Sequence, residues 1–325
     1  PQAYWAKLVL FLYFMSLFSK SLRILRKRCF GALQKVGAIV ATIGLSLGSI
    51  PLSGISADVY WDPDLAAAGN NIDGTGLGGG GTWDTTALQW WDGLGANAAW
   101  INGTDNAIFS YLFAPGVPNF NTVSLGTPIT AGQLTFNRSG YTIDGNGNAL
   151  TLSGNATLEG SFGTQTVIDA QISGSDGLRV TGGGTFVLTD NTNNYTGTTN
   201  IDDGTVVITG EGALGTDTST ILINGFAGRG FGGGSLLLDG TGGDITLTRD
   251  IDVRGRGPLS DRGNAIISLG DNTLQGTIRV SQGDQISRIT SDRGTLTIDS
   301  GSNLNTSGAS ATNRIHEFGQ VHGVR

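Results

Sequence analysis

Residues 182–210 read "GGGTFVLTDNTNNYTGTTNIDDGTVVITG". Gly184-Thr185 opens a short alternating run, Thr-Phe-Val-Leu-Thr over 185–189. A polar, Asn-rich tract follows, then Tyr195-Thr196-Gly197. A second alternating run opens at Gly204-Thr205. Period-2 alternation is the signature of a strand, and Gly, Asn and Asp between such runs mark turns. The stretch contains no Lys, His or Cys. It reads as a building unit, two small strands with a polar spacer, and not as a site.

The same pattern extends outward on both sides. Candidate strands fall at 133–136, 149–153, 166–172, 177–180, 185–189, 198–201, 205–209, 220–223, 235–238, 245–248, 265–268, 276–280 and 295–298. Most are four or five residues long, and a Gly-, Asn- or Asp-rich turn follows each. No run of helical period follows residue 58, so βαβ crossovers are excluded. An array of β-sandwiches and a parallel β-helix both fit. Sandwich strands are longer and joined by hairpins. Short strands that bend after each side favour the β-helix, in which each coil covers its neighbour. The step from Gly184-Thr185 to Gly204-Thr205 is close to one such coil.

Composition agrees. Gly accounts for 54 of 325 residues, only 14% of the chain is charged, and no collagen-like period is present. Charge is segregated. All 26 acids follow residue 57, where they face 12 Arg and no Lys, a net of −14. A body this acidic repels nucleic acid and anionic membrane. Its acids keep a long surface soluble. Cys29 is the only cysteine, so residues 58–325 hold neither a disulfide nor a Cys metal site.

Residues 1–57 differ from the rest. Residues 1–14, "PQAYWAKLVLFLYF", read as translated upstream sequence. From Met15 a basic stretch (Lys20 to Lys35), an apolar stretch (Val36 to Leu52) and the small-residue end Ile55-Ser56-Ala57 have the layout of a secretory signal peptide over 15–57. Cleavage is expected between Ala57 and Asp58. Residues 58–103 then hold five of the six Trp: Trp61, Trp83, Trp90, Trp91 and Trp100. Such a cluster either stacks on carbohydrate, with Trp90 and Trp91 as the contacts, or plugs the open end of a solenoid. The plug is the more economical reading, since an open end exposes unpaired strand edges.

With these residues in view, the opening stretch resembles the autotransporter-associated β-strand repeat. Gly182, Gly184, Thr185, Leu188, Asn194 (or its neighbour Asn193), Tyr195, Thr196, Gly197, Thr199, Ile201, Gly204, Thr205, Ile208 and Gly210 match its pattern, with Phe186 where Leu is usual. "RGTLTIDSGSNL" (293–304) is a weaker partial match. The resemblance implies a right-handed, single-stranded parallel β-helix over 104–312. It also implies a secreted passenger that is displayed at, or released from, a bacterial outer surface. The segment 313–325, "NRIHEFGQVHGVR", breaks the pattern and is expected to be an irregular, truncated or frame-shifted end. The secretion route stays open, with membrane contact only through the signal peptide or a missing C-terminal element.

Enzyme chemistry has few candidates. β-Helices host polysaccharide lyases and hydrolases, which use paired carboxylates or a carboxylate-bound metal with a base. Asp202-Asp203 sits at a turn, where Asp belongs. Asp250 and Asp252 could face one side of a strand near Arg249 and Arg254, as a catalytic pair or as a compensated solvated face; the second is the plainer reading. His316 and His322 lie in the broken tail, at a poor metal spacing. "GNNIDGTGLGGGG" (69–81) lacks the tandem units of calcium-binding nonapeptides. The expectation is therefore a structural passenger or stalk for display or adhesion, with no enzyme activity, cofactor or metal. Host or matrix glycans or proteins and the export machinery are its partners, and nucleic acid is not. A carbohydrate-active enzyme and a glycan-binding module are the alternatives.

Overall fold

The computed structural model describes residues 57–103, 105–111, 121–225, 233–258, 263–280 and 287–299, together with the backbone of 304–305 and 316–322. The signal peptide expected over 15–57 lies outside the described residues except for Ala57. That residue donates its N–H to Asp105 and accepts from the Asn106 N–H at 2.9 Å. The first strand, Asp58–Trp61, begins at the next position.

The chain visits two long sheets in turn and advances by one strand at each visit. The first sheet runs in parallel from Asp58–Trp61 through Asn106–Phe109, Ile129–Phe136, Leu150–Gly160, Leu178–Thr181, Thr199–Ile201, Ile221–Asn224, Ile251–Arg254 and Ile278–Val280 to Leu304–Asn305. The second runs from Gly81–Trp83 through Asn121–Leu125, Tyr141–Asp144, Gln165–Ile168, Thr185–Leu188, Gly204–Ile208, Gly234–Asp239, Ile266–Leu269 and Arg288–Ile298 to His316–His322. A third, shorter side is built from pairings such as Ile129–Ala131 on Leu150–Leu152, and Thr246–Leu247 on Asn272–Leu274. This is a parallel β-solenoid.

Like stacks on like because the register repeats. Gln165, Thr185 and Thr205 share one position, so a coil there matches the spacing of the two Gly-Thr pairs. Gly204 pairs with Gly234, so the next coil is longer. Alternation sends Ile143, Ile168, Leu188, Ile208 and Leu238 inward as one buried column. Leu134, Leu158, Val180, Ile201, Ile223 and Val253 form the facing column. Each such side chain gains about 1.5–3 kcal/mol from burial. Between the columns, Phe109 and Phe136 stack with centroids 4.8 Å apart and planes 9° apart.

Two expectations change. The run 166–172 is not one strand. It bends at Asp169-Ala170, between Gln165–Ile168 and Ile172–Ser173, because the chain turns there onto the third side. The tail expected to be irregular carries the strand His316–His322, parallel to Arg288–Ile298. The register of that pairing shifts between Thr290 and Thr295.

The amino-terminal end is closed by residues 58–103. Trp90–Trp91 and Asn97–Ala98 add two antiparallel strands beyond Asp58–Trp61. Trp61, Trp83, Trp90 and Trp100 are each at most 2% exposed. Their rings meet at 4.8–5.2 Å and rest on Phe109. Trp61 and Trp83 fill the first coil, and Trp90 and Trp100 pack against them.

Candidate functional site

The repeat unit of residues 178–210 shows what its signature residues do. Gly204 stands at φ +99°, and a Cβ there would come 2.3 Å from the Gly184 carbonyl oxygen of the coil below. Only glycine lets the two turns approach so closely. Tyr195 is fully buried, and its hydroxyl lies 2.9 Å from the Thr199 hydroxyl. Burial pushes its pKa up to about 12, against smaller opposing effects from Thr199 and Arg249. Of the two adjacent asparagines, Asn193 is the inward one, at 3% exposure. Its Oδ1 accepts from the Ile172 N–H at 2.6 Å, and its Nδ2 donates to the Ala213 carbonyl at 2.8 Å. One side chain thus ties three successive coils. Asn194, assigned from the repeat pattern, is exposed and contributes its backbone N–H to Ile172. Within an irregular loop a shift of one position exchanges inside for outside. Asn272, 1% exposed, plays a similar part further on. Its Oδ1 accepts from Ile245, and its Nδ2 donates to Ser268 and Leu269.

The carboxylates considered for catalysis are spent on architecture. Asp202 accepts from Arg179 and from Asn224, each at 2.5 Å, and Asp203 accepts from the Gly233 N–H at 3.1 Å. Asp250 is exposed, just ahead of its strand, and takes the Thr277 N–H at 2.7 Å. Asp252 is buried, and the Arg254 Nε lies 3.0 Å from its Oδ2. Arg249, expected beside this pair, turns inward instead. It is 6% exposed and donates to the carbonyls of Leu214 and Ser219 at 2.6–3.1 Å. A glycosidase needs two carboxylates across one substrate space, with one pKa raised. Here Asp202, Asp203 and Asp250 bond groups on neighbouring coils, and Asp252 pairs with Arg254 within its own strand. Asp217 illustrates the rule: the Ser219 hydroxyl and the N–H groups of Gly197 and Ser219 hold it down to about 2. The side chains of His316 and His322 lie outside the described residues.

Trp90 and Trp91, considered as glycan contacts, are 1% and 5% exposed. Their faces are closed by one another's neighbours, and no sugar ring can stack on them. An open aromatic stands elsewhere. Phe162 is 71% exposed at the rim of a cleft of about 470 Å³ that Ile72, Asp73, Arg138, Ser139 and Thr164 also line. Arg138 is held by bonds to the carbonyls of Tyr111 and Asn137 at 3.2 and 3.4 Å. Asp73 is kept ionised by the N–H and hydroxyl of Thr75. An exposed aromatic beside an oriented guanidinium and a carboxylate can bind a polar ligand. It lay beyond sequence reasoning because Phe162 sits in a turn with no pattern of its own.

The passenger-associated-transport-repeat family model matches residues 178–208. The Adhesin BmaC autotransporter of Brucella suis biovar 1 (strain 1330) is 36% identical over 186 residues, 55% of this chain and 5% of that adhesin. The match thus spans a small fraction of the relative's length. No solved structure matches the chain. Residues 178–208 match the passenger-associated transport repeat and form part of the parallel solenoid, and more than half of the chain is similar to an autotransporter adhesin.

Proposed function

We propose that this chain is an exported β-solenoid passenger that projects from a bacterial surface and mediates adhesion. The observation that carries the reading is the transport repeat at 178–208 within a chain related to a protein named as an adhesin. The solenoid supports it physically. Each coil rests on the next, so the fold extends a surface outward. The cleft at Arg138 and Phe162 supplies a ligand contact, with a host or matrix glycan or protein as the partner.

The test is retention of beads coated with the chain on immobilised matrix proteins and glycans under flow. Retention above that of albumin-coated beads, reduced by Phe162→Ala and Arg138→Ala, supports adhesion through the cleft. Retention at the albumin level across the whole panel refutes it. A polysaccharide depolymerisation assay addresses the enzyme alternative. Turnover abolished by Asp250→Ala or Asp252→Ala would replace adhesion with catalysis.

A further inference from the structure

The cleft at Phe162 follows the solenoid axis. Its wall is one corner of three successive coils: Ser110 after Asn106–Phe109, Asn137 to Ser139 after Ile129–Phe136, and Ser161 to Thr164 after Leu150–Gly160. Corners advance by one strand spacing, about 4.8 Å, per coil. Ile72 and Asp73 of the cap complete the lining. The volume, about 470 Å³, lies within the roughly 300–1,000 Å³ of small-ligand sites. Phe162 is 71% exposed and Ile72 62%, so two large apolar side chains meet solvent in one cleft. The Phe162 ring rests against the next coil. A Cβ on Gly183 would lie 3.3 Å from its Cδ2, so glycine leaves the ring its seat.

The polar groups of the lining are set to exchange hydrogen bonds. Arg138 spends two of its five N–H donors on the carbonyls of Tyr111 and Asn137, which orients the guanidinium and leaves three. The Asp73 carboxylate is held ionised by the Thr75 N–H and keeps its capacity to accept. Asn137 Oδ1 accepts from the Ser161 hydroxyl at 3.3 Å, and the Ser139 hydroxyl oxygen accepts from the Gln165 N–H at 3.1 Å. The Asn137 Nδ2 and the Ser139 hydroxyl proton therefore remain to donate. Among the described residues Arg138 and Asp73 form no ion pair with one another. The lining thus carries one acid and one base, which cancel.

Taking this cleft as the contact through which the chain adheres, we propose that it binds uncharged saccharide chains, laid along the solenoid axis with one ring on Phe162. A pyranose offers a face of C–H bonds to an aromatic ring, and its hydroxyls both donate and accept. Phe162 and Ile72 meet the first, and Arg138, Asp73, Asn137 and Ser139 meet the second. A charged sugar fits less well. A carboxylate drawn to Arg138 also approaches Asp73 and a body whose 12 Arg face 26 acids. That excess acts over about 8 Å at physiological ionic strength and repels an acidic polymer along its length. A peptide strand adds to an open sheet edge. The strands flanking these corners are already paired on both sides, so the cleft offers no such edge.

Saturation-transfer NMR on the full-length chain tests the site. The probes are neutral tetrasaccharides of glucose, mannose and galactose, each beside its uronate counterpart, in which C6 is a carboxylate. We expect saturation of ring C–H protons in a neutral probe, and binding about tenfold weaker or less in its uronate. Phe162→Ala changes an exposed residue and keeps the fold, verified by circular dichroism. It is expected to weaken binding about tenfold, the worth of an aromatic contact, and Phe162→Tyr to preserve it. No saturation in any neutral probe, uronates bound as well as their neutral forms, or neutral binding unchanged in the Phe162→Ala/Arg138→Ala double variant overturns the proposal. Bead retention reads adhesion separately. Retention on matrix proteins alone, reduced by the same variants, keeps adhesion and removes the saccharide. Saturation without retention on any surface keeps the saccharide site and removes adhesion.

Discussion

Replacing Asn193 by alanine removes the side chain that bridges three coils. Two buried backbone groups then lose their partners: the Ile172 N–H, bonded at 2.6 Å, and the Ala213 carbonyl, bonded at 2.8 Å. Each buried group left unsatisfied costs about 1–3 kcal/mol. The two together predict a loss of about 2–6 kcal/mol, localised to the coils around residues 172 and 213, because solenoid coils feel only their neighbours. Hydrogen exchange measured by segment reads this as faster exchange at 172–174 and 213–216, while 133–136 stays unchanged. Asn194→Ala is the control. That residue is exposed, and its change is expected to stay within about 0.5 kcal/mol. Asn193→Asp adds a sign. The new carboxylate still accepts from Ile172 but repels the Ala213 carbonyl, and burial raises its pKa above the unfolded value. Its penalty is therefore full above the raised pKa and fades as pH falls through it, where a protonated oxygen donates to Ala213. Equal effects of Asn193→Ala and Asn194→Ala, or uniform loss of protection along the chain, would refute the reasoning.

Other consequences are equally direct. Gly204→Ala forces a Cβ to within 2.3 Å of the Gly184 carbonyl at φ +99° and is expected to cost about 3 kcal/mol or more, whereas Gly147→Ala, at φ +80° with nothing within 4 Å, costs about 1 kcal/mol in a urea melt. Trp90→Ala opens the plug and is expected to cost about 3–5 kcal/mol, read as loss of the cap's near-ultraviolet dichroism. Tyr195 stays neutral in the folded chain up to about pH 12, while its unfolded form ionises near its ordinary value of 10. Stability is therefore lost as pH rises from 10 towards 12, and Tyr195→Phe abolishes that part of the slope. Phenolate absorbance during alkaline titration of the two proteins measures the difference.

Strands that alternate over four positions, such as Thr185–Leu188 and Gly204–Ile208, are visible in the sequence because period 2 needs about that length to register. Shorter strands, such as Ile172–Ser173 and Asn272–Leu274, carry no period, so the third side of the solenoid showed itself only in part, at 149–153 and 245–248. Asn121–Leu125 and Tyr141–Asp144 alternate in the same way and were passed over, each having only polar residues at its outward positions. The plug could be read from the unusual concentration of tryptophan ahead of the first coil. The direction of Arg249 could not, since an inward guanidinium is set by carbonyls far back along the chain, at Leu214 and Ser219.

Parallel stacking, with one coil per register step, underlies every inference above. Spin-label pairs on one outward column, Val167, Val187, Val207 and Leu237, measure it, placed by cysteines in residues 57–325, which hold none. Adjacent strands stand about 4.8 Å apart, so distances from Val167 are predicted near ~5, ~10 and ~14 Å to the three successive positions. A steady rise of one strand spacing per coil, despite unequal separations along the chain, is the predicted result. Distances that fail to rise in that order, as in a pair of packed antiparallel sheets, would contradict the solenoid.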